Sequence, residues 1–201
     1  MKIKTLTIDE LCNVDYGTRV TRKKDGGKIY PVYGGGGKTF FLDRANRKNR
    51  VIIARFGMSE KCTRIVDGEF FLNDSGLTLS PKTKELSQQY LDKIILTLND
   101  SIYRLGKGTA QKNLDMKQFR LLKISFPESL KDQQNIVAKL EAVFTEINMA
   151  IDIEKRKEEE AIQLYRAISS EIFFKDEKKV SLNSCLLYTS PSPRDKRKSS
   201  M

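Results

Sequence analysis

Residues 132–174 read DQQNIVAKLEAVFTEINMAIDIEKRKEEEAIQLYRAISSEIFF, a stretch with no proline and no glycine. Apolar residues recur at Ile136, Leu140, Val143, Ile147 and Ala150, and again at Ala161, Tyr165, Ile168 and Ile172. Steps of four and three put them on one stripe of an α-helix. Between the two runs, Asp152-Ile-Glu-Lys-Arg-Lys-Glu-Glu-Glu160 turns the stripe polar and shifts its spacing, which interrupts a strict heptad without ending a helix. At the usual helical rise the stretch makes a rod of about 65 Å, too long for one small domain to cover. Two arrangements fit: an amphipathic helix packed on its own domain, or a coiled-coil arm whose stripe meets another helix. Length and sustained heptad spacing favour the arm.

The 201-residue chain leaves room ahead of this helix for one domain with a proper core and for no second complete one. The predicted organisation is an α/β (α+β) domain over residues 1–130, a long coiled-coil-forming helix over 131–176, and short segments 177–184 and 185–201. Charge divides along the same lines. Residues 1–130 carry 24 Lys+Arg against 14 Asp+Glu, residues 131–180 carry 9 against 11, and residues 181–201 carry 4 against 1. The excess behind the net charge of +11 therefore belongs to the globular part, the footprint of a polyanion binder, although basic proteins without nucleic-acid partners are common. No run of 18 apolar residues occurs, and acids break the N-terminal MKIKTLTIDE before a signal-peptide core forms. A cytoplasmic protein without a membrane partner is expected. Histidine is absent, and Cys12, Cys62 and Cys185 have no pairing spacing. Histidine catalysis, the usual zinc sites and a disulfide framework drop out.

Along the chain, Thr7-Ile-Asp-Glu10 has the form of a capping box and predicts a short helix through Leu11 and Cys12, ended by a turn at Asp15-Tyr-Gly17. The basic segment Arg19–Lys28 leads into a strand at Ile29-Tyr-Pro-Val-Tyr33 and then four glycines, Gly34–Gly37, followed by Lys38-Thr39. A phosphate-cradling P-loop would need glycine where Val32 stands, and Phe40-Phe-Leu-Asp-Arg44 is a poor start for a helix. The run is a plain flexible turn, or one that lets backbone approach DNA phosphates. Arg44, Arg47, Lys48 and Arg50 precede a buried strand at Val51-Ile-Ile-Ala54 ending at Arg55-Phe-Gly57. Phe70-Phe-Leu72 and Leu77-Thr-Leu79 predict strands around an Asn73-Asp-Ser-Gly76 turn. Tyr90–Leu98 predicts a helix with Leu91, Ile94, Ile95 and Leu98 inward, and Leu121–Phe126 a last strand. Between these lies Gly106-Lys-Gly-Thr-Ala-Gln-Lys-Asn113, where polar donors sit beside two glycines. Such a loop suits contact with a nucleic-acid backbone or base edge; the alternative is a loop whose Thr109 and Asn113 cap local structure.

The order of several segments resembles the DNA specificity subunits of Type I restriction-modification systems: Pro31-Val-Tyr-Gly34, Val51-Ile-Ile-Ala-Arg-Phe-Gly57, Phe71-Leu-Asn-Asp74, Gly108-Thr-Ala-Gln111, Leu122-Lys-Ile-Ser-Phe-Pro127 and Asp132-Gln-Gln-Asn-Ile-Val-Ala-Lys-Leu140. The resemblance implies a target-recognition domain that reads one half of a split site in double-stranded DNA, and a helix that spaces two such domains. It also implies a subunit with no active site and no cofactor of its own. A methyltransferase partner would hold S-adenosylmethionine, and through it an endonuclease chain would use ATP and Mg. Lys38, Arg47, Lys48, Lys107, Thr109, Gln111 and Lys112 are the expected DNA contacts. Ile136, Leu140, Val143, Ile147, Ala161, Tyr165, Ile168 and Ile172 are the expected partner-helix stripe.

Full specificity subunits carry two recognition domains and two helices, where this chain has one of each. Lys179-Val-Ser-Leu-Asn-Ser184 lines up with Thr5-Leu-Thr-Ile-Asp-Glu10 and would open a second repeat. Cys185-Leu-Leu-Tyr-Thr-Ser-Pro-Ser-Pro-Arg194 and the residues after it look like a translated sequencing adapter, the alternative being a disordered basic tail. The chain is then the first half of a longer subunit, or a half-subunit that pairs with a second copy through its helix. Two rival functions are an enzyme that binds or hydrolyses phosphate at the Gly34–Lys38 loop, and a coiled-coil scaffold that binds DNA without regard to sequence. No acid cluster of nuclease spacing and no methyltransferase signature supports the enzyme.

Overall fold

A computed structural model of the chain describes residues 2–174; the segments 177–184 and 185–201 lie outside them. Thr7 closes β1 (Ile3–Thr7) and caps α1 (Ile8–Leu11). Its hydroxyl accepts from Glu10 N at 3.2 Å while its own amide donates to the Glu10 carboxylate at 2.8 Å, the reciprocal bonding that the Thr-x-x-Glu spacing predicts. The helix stops at Leu11 because β2 (Cys12–Tyr16) begins at once. The turn predicted at Asp15-Tyr-Gly17 is therefore strand as far as Tyr16, since Asp15 and Tyr16 are registered against Thr78 and Leu77. The basic segment contributes a one-turn helix, α2 (Arg22–Asp25), whose Asp25 carboxylate accepts from Thr21 N.

There follow β3 (Tyr30–Gly34), β4 (Gly37–Leu42), β5 (Arg47–Ala54), β6 (Thr63–Leu72) and β7 (Gly76–Pro81). With β2 they form one sheet in the order β2-β7-β5-β6-β3-β4, antiparallel except between β3 and β6. β5 is central, and its run Val51-Ile-Ile-Ala is buried on both faces. Val51 and Ile53 enter the main core, while Ile52 packs with Val66, Phe70 and Leu72 on the other side. The two strands that flank the Asn73–Gly76 turn are not neighbours, because β5 lies between them.

α3 (Gln88–Thr97), capped by the Ser87 hydroxyl, buries Leu91 and Ile95 and half-buries Ile94, with Leu98 half-buried at its end. α4 (Asn99–Arg104), the two-residue strands β8 (Gly106–Lys107) and β9 (Asn113–Leu114), and α5 (Met116–Arg120) follow. α5 takes residues just before the last predicted strand, so β10 runs Lys123–Pro127 and Leu121 is exposed rather than paired. β10 pairs with β1 from Ile3↔Pro127 to Thr7↔Lys123, joining the two ends of the head.

α6 (Leu130–Phe174) is continuous over 45 residues. The chain divides after Phe144 into two units, so the first turns of α6 belong with the head. Gln133 explains why: it is fully buried, its Oε1 accepts from Ser87 N at 2.8 Å, and its Nε2 donates to Glu85 O and Pro127 O at 2.7 and 2.8 Å. One side chain thus satisfies three backbone groups that burial would otherwise leave unpaired. The mixed α/β head with a long C-terminal helix is the predicted fold class.

Candidate nucleic-acid interface

Three segments distant in sequence meet at one edge of the head: the Gly34–Gly37 turn, the exit of β5 at Arg55–Met58, and the loop from Gly106 to Asn113. The exit of β5 makes the joins. Arg55 N and Phe56 N donate to Ser75 O at 2.8 and 3.3 Å, Arg55 O accepts from Leu114 N at 2.9 Å, and Met58 N donates to Lys112 O at 2.9 Å. Phe56 also forms an isolated bridge with Asn113.

The glycine turn is packed. Gly35 N donates to Ser75 Oγ at 2.9 Å, and Gly35 O accepts from the Arg64 guanidinium at 2.8 Å. A Cβ on Gly35 would lie 2.7 Å from Phe56 O and 3.1 Å from Ser75 O, and Gly37 has φ 120°. These glycines are required by close backbone approach and by dihedral angle. The Gly35 amide that would face a phosphate is already donated, which counts against a phosphate cradle at Gly34–Lys38.

The predicted contacts fall into two groups. Lys107, Thr109, Gln111 and Lys112 share the β8–β9 loop, where Thr109 and Gln111 are exposed with no side-chain hydrogen bond among the described residues. Lys107 Nζ lies 2.5 Å from Asp115 Oδ2 and is itself mostly exposed. That lysine holds the Asp115 carboxyl below the usual carboxylate range, while Asp115 Oδ1 accepts from Lys117 N and Gln118 N at the start of α5. Lys112 is half-buried, and its Nζ lies 4.1 Å from the centre of the Tyr103 ring. The second group lies on β4 and β5. Lys38 is exposed on β4 with Nζ over the Phe41 ring, and Lys48 pairs with Glu69 at 3.5 Å. Arg47 donates from Nε to Thr78 Oγ1, from Nη1 to Asn46 O and from Nη2 to Tyr16 O. Its guanidinium pins β2 and β7 to β5, so its donors are engaged inside the fold.

Four side chains at this edge were not among the predicted contacts: Tyr16, Arg55, Phe56 and Tyr103. Arg55 Cζ lies 4.1 Å from the Phe56 ring centre and 5.1 Å from that of Tyr16, and both rings are exposed. The Arg-Phe pair at the end of an apolar strand is visible in sequence. Its meeting with Tyr16 is a product of the β2–β7–β5 order.

On α6, Ile136 is half-buried, whereas Leu140, Val143, Ile147, Ala161, Tyr165, Ile168 and Ile172 are exposed. Every side chain from Ala138 through Ile172 is exposed except Ser169. Among the described residues no His, Cys, Asp or Glu cluster could hold a metal ion, and no helix is long and apolar enough to cross a membrane. Cys12 and Cys62 are buried free thiols, and burial pushes Cys12 up to about 12, which leaves it without nucleophilic character.

A basic α/β head that exposes a donor-rich loop edge, continued by one long helix, has the build of a recognition module. The family model for the Type I restriction modification DNA specificity domain matches residues 2–163. The chain belongs to that family. Among solved structures, the S subunit of the Type I restriction-modification system from M. genitalium is similar at TM-score 0.65 and 24% identity, over 88% of this chain and 47% of that one. A structure described as the basis of complex assembly and conformational transition of the Type I R-M system matches at 0.66 and 16%, over 84% and 45%. The HsdS subunit from Thermoanaerobacter tengcongensis matches at 0.56 and 17%, over 87% and 46%. At these identities the likeness is one of fold, and the chain spans just under half the length of those proteins. No curated protein matches the chain.

Proposed function

We propose that this chain recognises one half of a split site in double-stranded DNA, as the sequence-reading part of a Type I specificity subunit, and performs no chemistry itself. The observation that carries this reading is the family match over residues 2–163, which spans both the head and most of α6. The excess of 24 Lys+Arg over 14 Asp+Glu in residues 1–130 and the exposed run Lys107–Gln111 support it. Phosphates are gripped by the lysines of this loop, while Gln111, able to make two hydrogen bonds to an adenine edge, discriminates bases. The methyltransferase chain brings S-adenosylmethionine, and the endonuclease chain that joins through it uses ATP and Mg.

The apolar residues exposed along α6 take a second helix, from a second recognition domain of the same subunit or from another copy. Ile147→Asp combined with Ile168→Asp is expected to abolish self-association and methyltransferase capture in light scattering. A wild-type chain that stays monomeric and ignores the methyltransferase would contradict this role for the helix.

Selection from a randomised duplex library, followed by titration at several salt concentrations, tests the recognition role. The expected outcome is one enriched half-site and an affinity that falls steeply with salt, with a log–log slope of about −4 to −5 for roughly five phosphate contacts. Equal binding to all duplexes would leave only a sequence-blind scaffold. ATP turnover by the isolated chain would overturn the non-catalytic reading.

A further inference from the structure

The half-buried arginines of the head differ in what their guanidinium groups meet. Arg47 has three protein acceptors, Arg64 donates to Gly35 O and Lys61 O, and Arg120 pairs with Asp9 at 2.7 Å. Arg55 has none: among the described residues no carboxylate and no hydrogen-bond acceptor meets its guanidinium, which lies over the rings of Phe56 and Tyr16. Its backbone is clamped on both sides, with N donating to Ser75 O and O accepting from Leu114 N. A guanidinium fixed against aromatic faces keeps its charge and offers its donors in plane, in the fork that suits two adjacent acceptors. The neighbours point the same way. Gln111 Nε2 lies 3.1 Å from where a Cβ on Gly57 would be, and Lys112, whose carbonyl bonds Met58 N, is laid over Tyr103.

We propose that Arg55 is a duplex-DNA contact that presents the edge of its guanidinium to a pair of acceptor atoms, with Tyr16 and Phe56 as positioning residues. The inference rests on the DNA-recognition reading above and adds to it a contact outside the basic clusters. Two parts of a duplex offer such a pair: O6 and N7 of a guanine in the major groove, and two oxygens of one phosphate. Lysine separates them, because a compact point charge replaces arginine at a phosphate far better than at a bidentate guanine edge.

The test compares the full chain with Arg55→Ala and Arg55→Lys, by duplex-library selection and by anisotropy titration on the wild-type winner and on random duplex. Arg55→Ala is expected to lose about tenfold to a hundredfold on the winner. If the acceptor pair is guanine, both variants lose the preference at one G·C position while random-duplex affinity stays within about threefold. If it is phosphate, Arg55→Ala weakens winner and random duplex alike, the salt slope falls by about one, and Arg55→Lys restores most of the affinity. An Arg55→Ala chain that keeps its unfolding midpoint, selects the unchanged motif and binds it within about twofold of wild type overturns the inference. Should that variant fail to fold, Phe56→Leu, which removes one ring and no charge, must weaken the winner several-fold, and unchanged binding overturns the inference equally. A wild-type chain that enriches no motif sinks the recognition reading itself, so the two failures are distinguishable.

Discussion

Gly34–Gly37 and the loop from Gly106 to Asn113 lie at the same edge of the head, and both bring glycine beside lysine. In the first, Gly34, Gly35 and Gly37 are buried and the Gly35 amide and carbonyl are bonded to Ser75 and Arg64. In the second, Lys107 through Gln111 are exposed, and the loop is tied at its ends by the Gly106↔Leu114 and Lys107↔Asn113 pairing, the Lys107–Asp115 ion pair and the Met58 N to Lys112 O bond. Glycine in the first is a packing requirement. In the second Gly108 is required too, at φ 114° and with a Cβ position 2.4 Å from Gln111 O, but the side chains from Lys107 to Gln111 remain exposed. Glycine beside a cation does not mark a phosphate site until the destination of the backbone amides is known.

The largest effect that bears on this contrast is expected from Gly35→Ala. Its new methyl meets two backbone carbonyls that cannot swing aside, and a loss of about 3 kcal/mol of stability is expected by chemical denaturation. A wild-type midpoint would mean the turn can shift to admit the methyl.

Next is a pH effect at Asp92 on α3, beneath β5. Asp92, buried under β5, accepts from Gln88 Nε2 at 3.0 Å and from Val51 N at 3.5 Å, and burial raises its carboxyl from 3.8 to about 6. The folded chain therefore binds this proton more tightly than the unfolded one. Stability from this group is present in full below the unfolded value of 3.8 and is lost as pH rises toward and through about 6. Over the full window up to about 3 kcal/mol is involved. Asp92→Asn should flatten that slope in denaturation measured between these two values, and an unchanged slope would assign it to another group.

A smaller effect belongs to the open loop. Gln111→Ala should leave stability within about 0.5 kcal/mol of wild type while cutting discrimination between the selected duplex and random duplex by about 1–2 kcal/mol. Equal loss on both would make Gln111 a backbone contact. The smallest is Gly36→Ala. Gly36 is exposed, a methyl placed on it would meet no atom within 4 Å, and it lacks a positive φ, so a change under about 0.5 kcal/mol is expected. A large Gly35 effect beside a negligible Gly36 effect would locate the constraint in packing rather than in turn flexibility.

Much of the fold is legible in the order of residues because the signals are local. The Thr7–Glu10 capping box, the β-branched density of Val51–Ala54 and the four-three stripe from Ile136 to Ile172 each specify an element within a few residues. α2, α4 and α5 are not legible in this way. They are helices of four to six residues, too short for a period to register, and only α5 has a side-chain N-cap, Asp115. The candidate interface was half visible: Lys107, Thr109, Gln111 and Lys112 share one loop, and all but the half-buried Lys112 are exposed. Arg47 gave no sign that its donors would be used by Tyr16, Asn46 and Thr78, two of which are distant in sequence. Tyr103 gave no sign that it would lie under Lys112.

The sequence by itself determined that the chain has one basic head and one long helix, and the strands β3, β5, β6, β7 and β10 but not β1, β2, β4, β8 or β9, because charge, proline-free length and apolar period are additive properties of neighbouring residues. Only the tertiary structure decided which cations are free. That depends on which acceptors the order β2-β7-β5-β6-β3-β4 brings within hydrogen-bond reach. Arg47 and Arg55 stand eight positions apart on one strand and its exit, yet one is consumed by carbonyls and a hydroxyl while the other is left over aromatic rings with its donors open.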